Sequence, residues 1–421
     1  MDNIPSTALS DDEEEDPKKD GLGSLEEECP PEIDPKLWDK WRKWEDLPSN
    51  SFLAQYKRGL KGFNVGVDNG LTNVNKYIYG THTGRYYLIG ADSGVGKTTI
   101  SDFMFILQAW KACKSSDRKF RCYYCSFEIG KADKIARWIS YYIFLRTSQR
   151  LPSDYILGRI KGMTVTPEHD KLVLRAYQEV MELMQDIAFI DHIQHPTKVF
   201  EDLIEIHYEK IGVVQRIAPD AEQRKKGKKG FITGFKPHTD NENILTILMV
   251  DHAALHNSEM GLDTKGTMDK ASKYYVILRN LFGTTIVNIQ QFSTDMLSAN
   301  RERMGKKSET NIAPTRLDFG DSKATFRDAD VVFGYVKPII HLPTFNGYNL
   351  SKTSGLGDCM IAQYLMKNRY GPSGKLLPLF LDGCTGYTYD LPLEGKNEIA
   401  MTPWYERAYE IDKLSTIYYP R

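Results

Sequence analysis

Cysteine is scarce in this chain: 6 among 421 residues, at positions 29, 113, 122, 125, 359 and 384. So thin a scatter excludes a disulfide-built scaffold and fits a reducing compartment. Cys122 and Cys125 have C-x-x-C spacing. No second pair lies at zinc spacing, and the pair falls inside a strand-like run, so two buried strand residues are expected rather than a metal or redox centre. Long apolar runs are also missing. No stretch reaches the roughly 18 residues of a transmembrane helix. The N-terminal segment is acidic and has no apolar core, so it does not read as a signal peptide; a cytoplasmic protein without a membrane partner is expected. There is no internal repeat. Net charge is nearly absent, at −1, but it is unevenly placed. Residues 1–50 hold 16 acids against 6 bases, leaving a mildly basic body, a distribution compatible with nucleic-acid binding.

What the chain does have is a glycine-rich turn between a strand and a helix. Tyr86 to Ile89 is an apolar run of strand length, and Ile100 to Ala112 carries apolar residues at helical spacing. Between them runs Gly90-Ala91-Asp92-Ser93-Gly94-Val95-Gly96-Lys97-Thr98-Thr99. Glycines let backbone N–H groups point at phosphate oxygens, and the helix start adds partial positive charge. Ser93, Gly94, Val95, Gly96, Lys97, Thr98 and Thr99 are the expected nucleoside-triphosphate contacts. Lys97 is expected at the β and γ phosphates, with the Thr98 hydroxyl on Mg²⁺. The general pattern G-x-x-x-x-G-K-[ST] fails here by one methyl group: its first position is Ala91, with Gly90 just before.

Residues 1–33 are acidic and poor in large apolar side chains, and are expected to be a disordered tail. Residues 34–54 hold a Trp-rich helix that starts at Asp34-Pro35, with Leu37, Trp41 and Trp44 on one side. It is expected to dock on its own domain or on a neighbouring subunit. Residues 49–85 read as turn-rich. The main domain is expected over 55–385. Its helices and strands alternate, with strands at 119–127, 187–191, 244–250, 284–289, 329–336, 359–366 and 376–381. Residues 212–243 break the rhythm as a basic insertion, and 293–325 form a long polar loop. Residues 386–421 read as a Tyr- and Pro-rich surface extension. The fold class is α/β, a largely parallel sheet flanked by helices with antiparallel pairing late in the chain.

In such sheets ligands bind outside the carboxyl ends of the strands. Glu128, Asp251 and Gln291 stand at those ends. Asp251 fits a metal anchor, Glu128 a base that polarises the attacking water, and Gln291 a reporter of the γ-phosphate. Lys367 and Arg369, two apart at a strand end, share a face and suit one anionic target, including a neighbour's nucleotide.

Taken in order, these segments resemble the ATPase domain of DnaB-type replicative DNA helicases. The likeness covers roughly residues 55–385. It rests on Ala91 to Thr98, on Ser126-Phe127-Glu128-Ile129, on Ile247 to Asp251, on Thr285 to Gln291, on Asp328-Ala329-Asp330, and above all on Lys367-Asn368-Arg369-Tyr370-Gly371-Pro372. The resemblance implies a RecA-like core assembled as a hexameric ring, with ATP and Mg²⁺ at subunit interfaces and single-stranded DNA as partner, along with a primase or loader. It implies Glu128 as catalytic base, Lys97 and Thr98 as phosphate and Mg²⁺ ligands, and Asp251 as the second acid. Gln291 would be the γ-phosphate switch, Lys367 and Arg369 would act in trans, and helix 35–47 would be a linker helix docking on the next subunit. The sequence departs from the family in four places: no sizeable helical domain precedes the Trp-rich helix, His252 stands where Tyr is often found, Gly320 replaces an Arg, leaving Lys323 or Arg316 to substitute, and the basic insertion at 224–229 is atypical. The compact form suits a phage-encoded or divergent member. Two alternatives stay open, a RecA- or RadA-like filament without unwinding and a nucleotide-gated scaffold.

Overall fold

Tyr86–Ala91 forms β1, and all six of its residues are buried because the strand lies in the middle of the sheet with helices over both faces. Tyr87 and Ile89 enter one apolar core and Tyr86 and Leu88 the other, as the two-residue repeat of a strand requires. The computed structural model describes residues 29–190, 192–219, 224, 230–293, 309, 312–320 and 323–419. The tail expected at 1–33 lies outside them up to residue 28. So do the basic run 225–229 and most of the polar loop expected at 293–325.

The other strands are β2 (Lys119–Ser126), β3 (Ile187–Ile190), β4 (Gly212–Ile217), β5 (Phe231–Pro237), β6 (Ile244–Asp251), β7 (Thr285–Gln291), β8 (Val331–Val336), β9 (Thr344–Phe345), β10 (Tyr348–Asn349), β11 (Met360–Asn368), β12 (Lys375–Leu381) and β13 (Thr388–Asp390). Eight of them join β1 in one nine-stranded sheet, in the order β13-β12-β11-β8-β1-β7-β6-β2-β3. β1, β2, β3, β6, β7 and β8 are parallel. β11, β12 and β13 add antiparallel pairs at one edge. Strands buried on both faces read as continuous apolar runs rather than alternating ones, which is why Ile244 to Val250 and Thr285 to Ile289 stand out in the sequence.

One face is covered by the helix that follows the glycine-rich turn and by helices Lys131–Thr147 and Pro167–Gln185. The other is covered by the helix starting at Pro196 and by Thr264–Phe282. The Trp-rich helix spans Pro35–Arg42, and the Asp34 carboxylate accepts from the backbone of Lys36 and Leu37. Trp41 packs against Tyr56 with ring centroids 5.5 Å apart. Lys57 lies 3.8 Å above Trp41. Two of the tryptophans thus find cover within the chain, since Trp44 is buried as well.

Three stretches differ from expectation. Residues 49–85 contain two helices, Phe52–Leu60 and Thr72–Ile78, whose apolar stripes are interrupted by polar residues and whose flanking glycines dominate the local pattern. Residues 212–243 contain the hairpin β4–β5, outside the main sheet. The C-terminal extension holds β13 and a 21-residue helix, Glu398–Tyr418, with Pro403 inside it. A proline usually marks a helix boundary, so the sequence pattern breaks where the helix does not. Among the described residues, no helix is long and apolar enough to cross a membrane.

Candidate active site

The glycine-rich turn leaves β1 and closes on the helix that begins at Lys97, with Gly96 as its N-cap. Gly94 has φ 75° and Gly96 φ 100°, both in the left-handed region where a side chain would be strained. A Cβ on Gly96 would also lie 2.5 Å from Leu381 Cδ2. Ala91 is the last residue of β1, paired with Gln291 and Tyr335, and it is not among the residues with positive φ. A methyl group is therefore tolerated where the general motif has glycine. The residue that must be small is Gly90: a Cβ there would come within 2.3 Å of Phe292 and 2.5 Å of Phe319.

Below the turn, the Thr98 hydroxyl donates to Asp251 Oδ2 at 2.9 Å. Asp251 ends β6 and is fully buried, and its Oδ1 has no hydrogen-bond partner among the described residues. An orphaned buried carboxylate oxygen beside a threonine hydroxyl is a donor set suited to a hard divalent cation and its water shell. The residues present therefore fit such a cation, which Thr98 and Asp251 would hold.

A second group of polar side chains lies behind Asp251. Lys134, from the helix after β2, is fully buried; its Nζ stands 3.4 Å from Asp251 Oδ2 and 3.2 Å from Asp102 Oδ2. Asp102 also accepts from the Tyr124 hydroxyl at 2.7 Å and from Trp138 Nε1 at 3.3 Å. Lys134 donates in turn to the Tyr124 oxygen. Burial pushes the Asp102 carboxyl up, against the opposing pull of Lys134 and Tyr124.

Glu128 lies two residues beyond β2 and is exposed. Its carboxylate acts on His252, as do Asp251 and Lys97. Burial lowers the His252 imidazole first, the two acids raise it, and Lys97 lowers it again. Glu128, Asp251 and Lys97 are thus electrostatic neighbours around one ring. Gln291 is paired with Ala91 across β1 and β7 and its side chain is exposed. Its neighbour Gln290 is buried, donating to the Phe319 carbonyl at 2.6 Å and accepting from Thr325 at 2.8 Å. The strand end facing the turn is thus tied to the segment around Phe319.

Lys367 and Arg369 come together, but at the other end of the sheet. Lys367 donates to the carbonyls of Phe326, Arg327 and Ala329. Arg369 reaches the Arg327 carbonyl and lies 3.0 Å from Asp330 Oδ1. Burial and the adjacent Arg369 push the Lys367 ammonium down to about 8. The Arg369 backbone N–H bonds the Asp330 carbonyl, and the Asp330 N–H in turn bonds the Tyr86 carbonyl. Arg369 therefore sits at the level of Tyr86, roughly 17 Å down β1 from Ala91 at about 3.3 Å per residue.

Sequence reasoning brought Thr98, Asp251, Glu128, Gln291 and Lys97 to one end of the sheet and missed two features there. The first is the pair Asp102 and Lys134. The available signal was a lysine standing in the apolar stripe of its helix, four residues before Trp138. The second is the C-terminal helix, whose Tyr418 and the following Tyr419 join Gly94, Thr99, Trp138 and Cys384 around a cavity of about 430 Å³. That volume lies within the usual range for small-molecule clefts. The Tyr419 hydroxyl donates to Asp154 Oδ2 at 3.0 Å and holds Tyr419 against this cavity.

No family model and no curated protein matches the chain. Solved structures do match it. One, described as an ATPase domain, aligns with TM-score 0.55 and 17% identity, over 82% of this chain and all of that one. Another, described as a DnaB-like replicative helicase and its interactions with primase, aligns with TM-score 0.54 and 16% identity, over 82% of this chain and 67% of that one. At such identities the likeness is one of fold: the chain has the α/β fold of RecA-like ATPase domains, a mostly parallel central sheet flanked by helices.

Proposed function

We propose that this chain is an ATP-dependent DNA helicase, working as a hexameric ring that hydrolyses ATP between subunits and moves along single-stranded DNA. The observation that carries the reading is the separation of two groups on one sheet. The phosphate loop, Asp251 and Glu128 are at one end. Lys367 and Arg369 are at the other, too far from their own loop to serve it. A basic pair placed in this way suits a nucleotide held by the next copy, and a head-to-tail contact of that kind forms a ring where the rotation between copies closes and a filament where it does not.

In this reading Ser93 to Thr99 bind the phosphates, with Lys97 on the β and γ groups. Thr98, and Asp251 through a water, would hold Mg²⁺, whose charge would offset that of the phosphates. Glu128 takes the proton of the attacking water, and Arg369 with Lys367 from the neighbour stabilises charge on the transferred group. Gln291, level with Ala91, passes the state of the γ-phosphate to the polar segment after β7. The DNA backbone is gripped by segment 255–270, whose residues from Thr264 onward begin a helix, and by segment 293–325, most of which lies outside the described residues; such a grip makes binding salt-sensitive and tolerant of sequence. A primase or loader is the expected protein partner, by analogy with the DnaB-like helicase whose fold this chain shares.

The test is strand displacement on a forked duplex with ATP and Mg²⁺, alongside imaging with a non-hydrolysable analogue. Closed rings and displaced strand support the reading. Filaments or single chains without displacement overturn it.

A further inference from the structure

Lys134 has no part in the mechanism above, yet it approaches Asp251 from behind. We infer that Lys134 is a positioning residue for Asp251, fixing that carboxylate so that its Oδ1 faces the metal-dependent phosphate site. The inference rests on the nucleotide reading and deepens it.

A lysine with no exposed surface is strongly unfavourable unless its charge is matched. Asp102 alone would match it, and Asp102 is well supplied with other donors: the Tyr124 hydroxyl at 2.7 Å and the Trp138 indole at 3.3 Å. Lys134 nevertheless reaches beyond Asp102 to Asp251 Oδ2, at 3.4 Å. That oxygen already accepts from Thr98 at 2.9 Å. Two donors arriving from different elements, one from the helix after β2 and one from the helix after the phosphate loop, fix the plane of the carboxylate. The second oxygen, Oδ1, is left buried and without a partner among the described residues. Removing Lys134 leaves Asp251 hinged on one hydrogen bond, beside a second buried acid.

Outer-shell groups that orient a metal-binding side chain change metal affinity by roughly tenfold to a hundredfold when removed. The competing explanation is that Lys134 only cancels the charge of Asp102. The two are separated by Lys134→Met, Asp102→Asn and the double variant. The readout is binding of a fluorescent ADP analogue as Mg²⁺ is varied, with no turnover required. Thermal unfolding of the same proteins is recorded in parallel.

In Lys134→Met the Mg²⁺ concentration for half-maximal binding is expected to rise about tenfold or more. In the double variant, which removes the buried pair together and regains thermal stability, the rise is expected to persist. Binding in EDTA should be equal in all four proteins, because the phosphate loop is untouched. A double variant with the wild-type Mg²⁺ requirement overturns the inference while leaving the nucleotide reading intact. Wild-type protein whose binding ignores Mg²⁺ overturns the nucleotide reading itself, and this inference with it.

Discussion

Thr98 and Asp251, 153 positions apart in the chain, share one hydrogen bond of 2.9 Å below the glycine-rich turn. Thr98→Val keeps the shape of the side chain and deletes the donor. Asp251 Oδ2 then retains only Lys134, and the cost of one lost hydrogen bond to a buried charge is about 1–3 kcal/mol. The expected outcome is a folded protein with a lowered melting temperature, in which Mg²⁺ no longer strengthens nucleotide binding. Calorimetric titration with and without the metal checks this.

Glu128 is exposed beyond β2, where little packing depends on its side chain, so Glu128→Gln should leave stability unchanged. Loss of a general base lowers turnover by roughly 10²–10⁴-fold. ATP should still bind with wild-type affinity. A variant that hydrolyses ATP at near-normal rate would remove Glu128 from the mechanism.

Arg369 is half-exposed, and its ion pair with Asp330 is shared with Arg279. Arg369→Ala should therefore change stability by less than about 1 kcal/mol, while turnover falls sharply. Mixing it with Lys97→Ala subunits, which lack the phosphate lysine but keep Arg369, should restore part of the activity. The absence of any rescue in a titration of one variant into the other would count against action in trans.

Gly90 lies flat under Phe292 and Phe319. Gly90→Ala forces both rings to move, and overpacking of this kind costs about 1–3 kcal/mol. Denaturant unfolding should show the loss, and Ala91→Gly, one residue on, should not reproduce it through packing. Equal destabilisation by both changes would mean that the rings do not set the limit.

Glu259 anchors the segment after β6. Burial would raise its carboxyl, but Lys270 and the hydroxyl and backbone of Thr197 outweigh it and hold the group down at about 2, against an ordinary value of 4.5. Its folded value is the lower one, so its stabilising effect is complete above 4.5 and fades as the pH falls towards 2. Wild-type protein should lose melting temperature over that window faster than Glu259→Gln, and the two curves should converge at the acid end. Parallel curves would show that the carboxylate contributes nothing there.

Much of the candidate site was legible because residues suited to a phosphate stand at short, local spacings. The spacing from Gly94 to Thr98, the acid after Val250 and the acid after Phe127 follow directly from strands that deliver side chains to a common edge. Ala91 reads as a defect in the motif. In three dimensions it is a strand residue without positive φ, and the demand for smallness has moved to Gly90, set by Phe292 and Phe319 from far along the chain. The helix Glu398–Tyr418 was illegible because Pro403 and its many aromatics mask the period, while packing against the rest of the fold keeps it in place.

Residue order alone determined that strands and helices alternate, that a glycine-rich turn follows β1, and which acids stand at strand ends, because each of these depends on neighbours a few positions apart. The burial of Lys134 between Asp102 and Asp251, the cavity closed by Tyr418 and Tyr419, and the placing of Arg369 far from its own loop were decided only in the tertiary structure. Each is a meeting of elements distant along the chain, fixed by sheet order and packing, and no local pattern records it.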